Sequence, residues 1–167
     1  MIIVCGLAKA QHQIDLHRAK SVIGILGTET AHPTYRGIEH QRHLRLSFND
    51  INDEAPGMTA AKAEDAERLV QFIRGWDQAA PMVIHCWAGI SRSTASAFAA
   101  ICVLQPRADE MELAKILREA SPSATPNRLI TQKVDEFLGR NGRMLRAVES
   151  MGRGANAYEG EPFILKL

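Results

Sequence analysis

The chain has 167 residues, 46% of them apolar and 23% charged, with a formal net charge of +1. That length suits one domain with a core large enough to fold unaided, and the composition is that of an ordinary globular protein. A near-neutral charge balance excludes a bulk attraction to nucleic acid or to an acidic membrane, so any preference for anions must be local. With only 5% aromatic residues there is little to stack single-stranded bases. Three cysteines, Cys5, Cys86 and Cys102, are too few and too scattered for a disulfide framework, and no C-x-x-C pair suggests zinc. The odd count fits free thiols in a reducing compartment. The apolar start reads as a strand rather than a signal peptide, and no run is long enough to span a bilayer, so the expected location is the cytoplasm.

Residues 1–5, rich in Ile and Val, predict a buried strand. Residues 10–20 suggest a short helix, and 21–26 a second buried strand closed by Gly27. Residues 28–39 are polar, with Pro33 and Gly37, and read as loop. In 43–48, Leu44, Leu46 and Phe48 alternate with other residues, as in a half-buried strand. A turn-rich stretch at 49–57 carries Asp50, Asp53 and Glu54. Thr59 is placed to cap a helix reaching Trp76, with Ala63, Ala66, Leu69, Val70 and Ile73 at helical spacing. A strand is predicted over 82–85 and an Ala-rich helix over 93–104, stopped by Pro106. Asp109 can cap a helix through Ala120, and 127–150 carries a last helical pattern with possible breaks at Gly139 and Gly142. The segment 151–167 reads as an irregular tail, although 163–167 could dock as a strand. Early strands, one mid-chain strand and later helices indicate an α/β domain with helices over a sheet.

Between the strand at 82–85 and the Ala-rich helix lies His85-Cys86-Trp87-Ala88-Gly89-Ile90-Ser91-Arg92-Ser93. Five residues between Cys and Arg can curl into a ring whose backbone N–H groups of Trp87, Ala88, Gly89, Ile90, Ser91 and Arg92 point inward as an anion nest. The helix that follows aims its positive N-terminus at the same point. Arg92 adds a planar fork for two phosphate oxygens, and Gly89 permits a positive φ. The same field is expected to favour a thiolate at Cys86, making it a nucleophile at neutral pH. Ser93 is placed to help the sulfur leave when a phosphoenzyme breaks down, and His85 to orient the loop rather than to act as an acid. Cys-x5-Arg alone would turn up by chance in roughly one chain in ten of this length; the flanking His, Gly and Ser make the pattern far more specific.

This nine-residue stretch resembles the signature H-C-x-x-G-x-x-R-[S/T] of the protein tyrosine phosphatase superfamily, in its compact dual-specificity and related bacterial form. Leu46-Ser47-Phe48-Asn49-Asp50-Ile51 is similar to the strand and loop that carry the family's acid. Pro126-Asn127-Arg128-Leu129-Ile130-Thr131-Gln132 is similar to a Pro-Asn…Gln segment late in such domains. The resemblance implies a single phosphatase domain over 1–167, built on a central, mostly parallel sheet of about four to five strands with helices on both faces. It also implies a phosphocysteine intermediate and no metal or other cofactor. Cys86 is then the nucleophile, Arg92 the phosphate binder and Ser93 the helper of the second step. Trp87 is a bulky departure next to the nucleophile.

A leaving phenolate needs a proton, which a carboxylic acid on a loop can supply. Asp50 is favoured because it directly follows a strand; Asp53 is the alternative, and the others are solvated turn residues. Asn127 could brace the catalytic loop or cap a helix. His12 with His17, and His40 with His43, lack metal-ligand spacing, and Cys102 reads as core. Cys5 would end a strand near Cys86, where a protective disulfide is conceivable, and Tyr35-Arg36 could rim the pocket. The expected substrate is a phosphorylated protein or a small phosphomonoester, with phosphotyrosine foremost and phosphoserine or phosphothreonine besides. No nucleic-acid or membrane partner is expected, and the oligomeric state is open. A phosphoinositide phosphatase, a sulfur-transfer domain and a non-catalytic phosphoprotein-binding module are the competing readings. The cradle side chains Trp, Ala, Ile and Ser include no Lys for multiply charged substrates, and a binding module would be expected to lose Cys86 or Arg92.

Overall fold

The computed structural model describes residues 1–166; Leu167, the end of the expected tail, lies outside the described residues. Five strands form one sheet: β1 (Ile2–Gly6), β2 (Ser21–Leu26), β3 (His43–Ser47), β4 (Met82–Cys86) and β5 (Phe163–Leu165), in the order β3-β2-β4-β1-β5. All neighbours are parallel except β5, which runs antiparallel along β1. The three central strands β2, β4 and β1 are buried at every residue, as expected for parallel strands covered on both faces. The register sets Gly6 beside Cys86 and Gly24 beside His85.

One face is covered by α1 (Ala10–His17), whose Ala10 and Ile14 pack with Ile3, Cys5, Val22 and Val83. The other carries α2 (Ala63–Arg74), α3 (Arg92–Leu104), α4 (Glu110–Ala120), α5 (Arg128–Leu138) and α6 (Arg143–Met151). The α/β class, the mostly parallel sheet and the helices on both faces follow the sequence expectation. Helix α3 is buried from Arg92 through Cys102. Its alanines let it lie close against the sheet, and an apolar surface all round suits a central helix.

One boundary differs from expectation, and two that the sequence left open are resolved. Helix α2 starts at Ala63, not near Thr59. The Thr59 backbone is taken by Asn49: the Thr59 N–H donates to Asn49 Oδ1 at 2.8 Å and the Asn49 N–H donates to the Thr59 carbonyl at 2.8 Å. The cap comes instead from Asp65, whose carboxylate accepts from the Lys62 N–H at 2.9 Å. The last helical pattern is two helices, because Gly139 closes α5 in the left-handed region at φ 65° and Asp135 accepts from the N–H groups of Gly142 and Met144 to start α6. The tail is irregular only over 152–162: alternating Phe163 and Leu165 are buried against the edge of β1. No helix among the described residues is long and apolar enough to cross a membrane.

Candidate active site

Strand β4 delivers Cys86 to the C-terminal edge of the sheet, and α3 begins at Arg92. In the loop between them, four carbonyls are tied outward. Trp87 O accepts from the Leu7 N–H at 3.0 Å, Ala88 O from Gly160 at 2.8 Å, Ile90 O from Thr125 at 2.9 Å and Ser91 O from Asn127 at 3.3 Å. Thr94 Oγ1 adds bonds to the Ile90 and Ser91 carbonyls. In a trans peptide the C=O and the next N–H point opposite ways, so the N–H groups of Ala88, Gly89, Ser91 and Arg92 turn inward. The Gly89 N–H reaches Cys86 Sγ at 3.3 Å. Gly89 has φ +74°, and a Cβ there would lie 2.6 Å from Gly6 N and 2.7 Å from the Cys5 carbonyl carbon. Only glycine satisfies both the backbone angle and the packing against β1.

Cys86 Sγ lies 3.1 Å from Ser93 Oγ on the first turn of α3. Arg92 is only 7% exposed. Its Nη1 donates to the Phe48 carbonyl at 2.9 Å, while Nε is buried without a hydrogen-bond partner and stands 3.7 Å from Asp50 Oδ2. An unpartnered guanidinium donor at the mouth of an inward-facing amide ring fits an oxyanion better than a structural ion pair.

Asp50 is brought to this cradle and the other acids are not. Its Oδ1 accepts from Ser91 Oγ at 2.7 Å and from Asn127 Nδ2 at 2.9 Å. Asn127 also donates to the Ile51 carbonyl at 3.0 Å and accepts from the Ile130 N–H at 3.0 Å, so it both fixes the loop of Asp50 and caps α5. Asp53 and Glu54 are exposed farther along the loop.

Strand alternation sends His85 to the opposite face of the sheet from Cys86. There its Nε2 lies 2.8 Å from Tyr35 Oη, so neither side chain touches the cradle: Tyr35 is buried under the sheet and does not rim the pocket. Burial lowers the His85 pKa to about 4. Cys5 shares that far face, paired in register with His85, and all three cysteines are free thiols. Cys5 and Cys86 thus face opposite sides of the sheet, and no disulfide joins them in this structure. Burial foremost pushes the Cys5 and Cys102 thiols up to about 12.

No pattern in the sequence marks the segment 152–162 as part of this region. It crosses the loop, with Gly154 N donating to Thr125 Oγ1 at 3.0 Å and Gly160 N donating to Ala88 O at 2.8 Å. Gly160 is close enough that a Cβ would stand 2.9 Å from Gly89 O. Tyr158 and Glu159 are thereby set beside Trp87 and Ala88, lining one cavity with them. A glycine flanked by acids was the only signal, and it fits many turns.

Residues 54–123 match the family model of protein-tyrosine phosphatase, a segment that includes the cradle but neither Asp50 nor Asn127. No curated protein matches the chain. Among solved structures, DUSP15 superposes with TM-score 0.63 at 20% identity, covering 89% of this chain and 90% of its own. The human tyrosine phosphatase-like serine/threonine/tyrosine-interacting protein gives TM-score 0.64 at 19% identity over 84% and 92%. PTPMT1 in complex with PI(5)P gives 0.60 at 16% over 84% and 91%. These likenesses concern the fold, and the family match concerns the cradle segment: the chain has the compact fold of these dual-specificity phosphatase structures, built around a segment similar to protein-tyrosine phosphatase.

Proposed function

We propose that this protein is a cysteine-dependent phosphatase that hydrolyses phosphotyrosine, and phosphoserine or phosphothreonine besides, without a metal. One observation carries the reading: Cys86 Sγ, Ser93 Oγ, the inward amides, the free Nε of Arg92 and the Asp50 carboxyl converge on one cradle. In the first step the Cys86 thiolate attacks phosphorus, an S–P bond forms and the bond to the leaving oxygen breaks. Arg92 and the loop amides hold the phosphoryl oxygens as charge moves onto them. Asp50 gives its proton to the leaving oxygen. Two donors already occupy its Oδ1, which leaves Oδ2 as the oxygen that carries the proton. In the second step the Asp50 carboxylate takes a proton from water, the water oxygen attacks phosphorus and the S–P bond breaks. Ser93 Oγ and the Gly89 N–H receive the departing thiolate.

The experiment is turnover of p-nitrophenyl phosphate and a phosphotyrosine peptide in excess chelator. Wild type should be active, Cys86→Ser inactive, and Asp50→Ala slower on the peptide by about 10²–10⁴-fold. An active Cys86→Ser would overturn the mechanism, and an Asp50→Ala variant of wild-type rate would return the acid role to Asp53. The phosphoinositide reading has a fold neighbour with PI(5)P bound, but among the described residues Arg92 is the one cationic side chain of the cradle, where a multiply charged substrate favours more cations. A non-catalytic module is opposed by the complete nucleophile and clamp. One domain over the whole chain and a cytoplasmic setting complete the proposal.

A further inference from the structure

Nine aromatic side chains are spread over 167 residues. Trp87, Phe137 and Tyr158 are the exposed ones among the described residues, and two of these three line the same cavity beside the nucleophile loop. Trp87 is 58% exposed and Tyr158 95%. The other walls are Leu7, Ala8, Ala88 and Glu159, around a volume of about 270 Å³. That lies below the roughly 300–1,000 Å³ typical of pockets for drug-sized ligands and suits one long side chain.

The chemistry of the walls selects which one. Glu159 Oε1 is buried against Gly6 and has no hydrogen-bond partner. A carboxylate oxygen left so is costly unless a cation or donor is brought near. The neighbouring cation, Lys9, is held by Glu161 at 3.2 Å. Trp and Tyr faces attract a cation, Trp most strongly, and the methylenes of Lys or Arg can lie along Leu7, Ala8 and Ala88. The cavity shares Trp87 and Ala88 with the phosphate cradle, and the bond from Gly160 N to Ala88 O fixes the opposite wall to the same loop. Whatever fills it therefore lies against the loop that forms the cradle.

We infer that this cavity, walled by Trp87, Tyr158 and Glu159, seats a lysine or arginine side chain flanking the phosphorylated residue of a protein substrate. The inference rests on the phosphatase reading and adds a sequence preference to it. Binding is measured first, by fluorescence anisotropy with the Cys86→Ser protein. The probes are labelled phosphotyrosine peptides with Lys, Ala or Glu placed in turn at each of the two positions on either side of the phosphotyrosine. Rates with unlabelled peptides follow on protein with Cys86 intact.

At the position that reaches the cavity, Lys should be preferred to Ala by about tenfold, as one partly buried ion pair with a cation–π contact allows, and Glu should be worst. In Glu159→Gln, which keeps the side-chain shape, the preference should fall to about twofold or less, and in Tyr158→Ala to an intermediate value. Lys and Ala peptides within twofold of each other at every position, or a preference that survives Glu159→Gln, would overturn the inference. So would tighter binding to phosphoinositide vesicles than to any peptide. If p-nitrophenyl phosphate is not turned over, the phosphatase reading fails, and the anisotropy ranking still decides the docking of the basic residue.

Discussion

Asn127 is 2% exposed and has all of its side-chain donors and acceptors aimed at fixed partners. Removing it with Asn127→Ala loses the cap of α5, about 1 kcal/mol. It also loses the bond to the Ile51 carbonyl, about 1 kcal/mol, and the bond to Asp50, again about 1 kcal/mol once the partial exposure of that carboxylate is discounted. The sum of about 3 kcal/mol should lower Tm by about 6–12 °C in a chain of this size. Asn127→Asp separates the two duties. An aspartate caps α5 as well as asparagine does, but it cannot donate to Asp50 and sets a like charge beside it. It should therefore recover about 1 kcal/mol of the loss while leaving the acid loop untethered. The assay is thermal unfolding of both variants beside rates on phosphate esters of good and poor leaving groups. Both variants should slow poor leaving groups more than p-nitrophenyl phosphate, because the proton from Asp50 matters most there. A loss below 1 kcal/mol in Asn127→Ala, or equal slowing across leaving groups, would refute the view that Asn127 holds the acid in place.

Other expectations concern the cradle and the sheet face behind it. Gly89→Ala should abolish turnover and destabilise by more than 3 kcal/mol, since the added methyl meets backbone atoms of Cys5 and Gly6 that cannot swing away, at a φ of +74°; wild-type-like melting would contradict it. At neutral pH one thiol should react quickly with iodoacetate, identified as Cys86 by peptide mapping, while burial keeps Cys5 and Cys102 protonated with values near 12. Labelling of all three in native protein would refute it. His85, fully buried, titrates near 4 in the fold and near 6.5 when unfolded. Between those values the unfolded chain takes up a proton that the native state does not. Stability should be insensitive to this group above about pH 6.5 and should fall by about 1.4 kcal/mol per pH unit as pH drops toward 4. His43, lowered to about 3 mainly by burial, acts in the same direction. Urea titrations from pH 7.5 to 4.5 measure the slope, and a flat profile would refute it.

The parts of the site that could be read from the sequence are those contained in one short stretch. Cys86, Gly89, Arg92 and Ser93 belong to a strand–loop–helix unit whose geometry is local, so spacing alone conveys it. Asp109 capping α4 is equally local, its carboxylate reaching two N–H groups within three residues. Thr59 misled because a competing partner, Asn49, lies ten residues earlier, where the chain leaves β3. Tyr35 looked like a rim residue because its loop is polar, yet the ring is drawn under the sheet by His85. Tyr158 and Glu159 had no periodic pattern around them, and the docking of β5 along β1, with the bonds from Gly154 N and Gly160 N, carries them beside the cradle loop.

The outward carbonyls of the nucleophile loop have a consequence for timing. Their donors are Leu7, Thr125, Asn127 and Gly160, which span nearly the whole chain. The amide ring therefore cannot close while the polypeptide is still emerging or only partly collapsed, because contacts of such long sequence separation form late. Until then Cys86 lacks the cradle that the proposed reaction needs. On that proposal, chemical competence reports on completed folding, because the last segments to arrive complete the site.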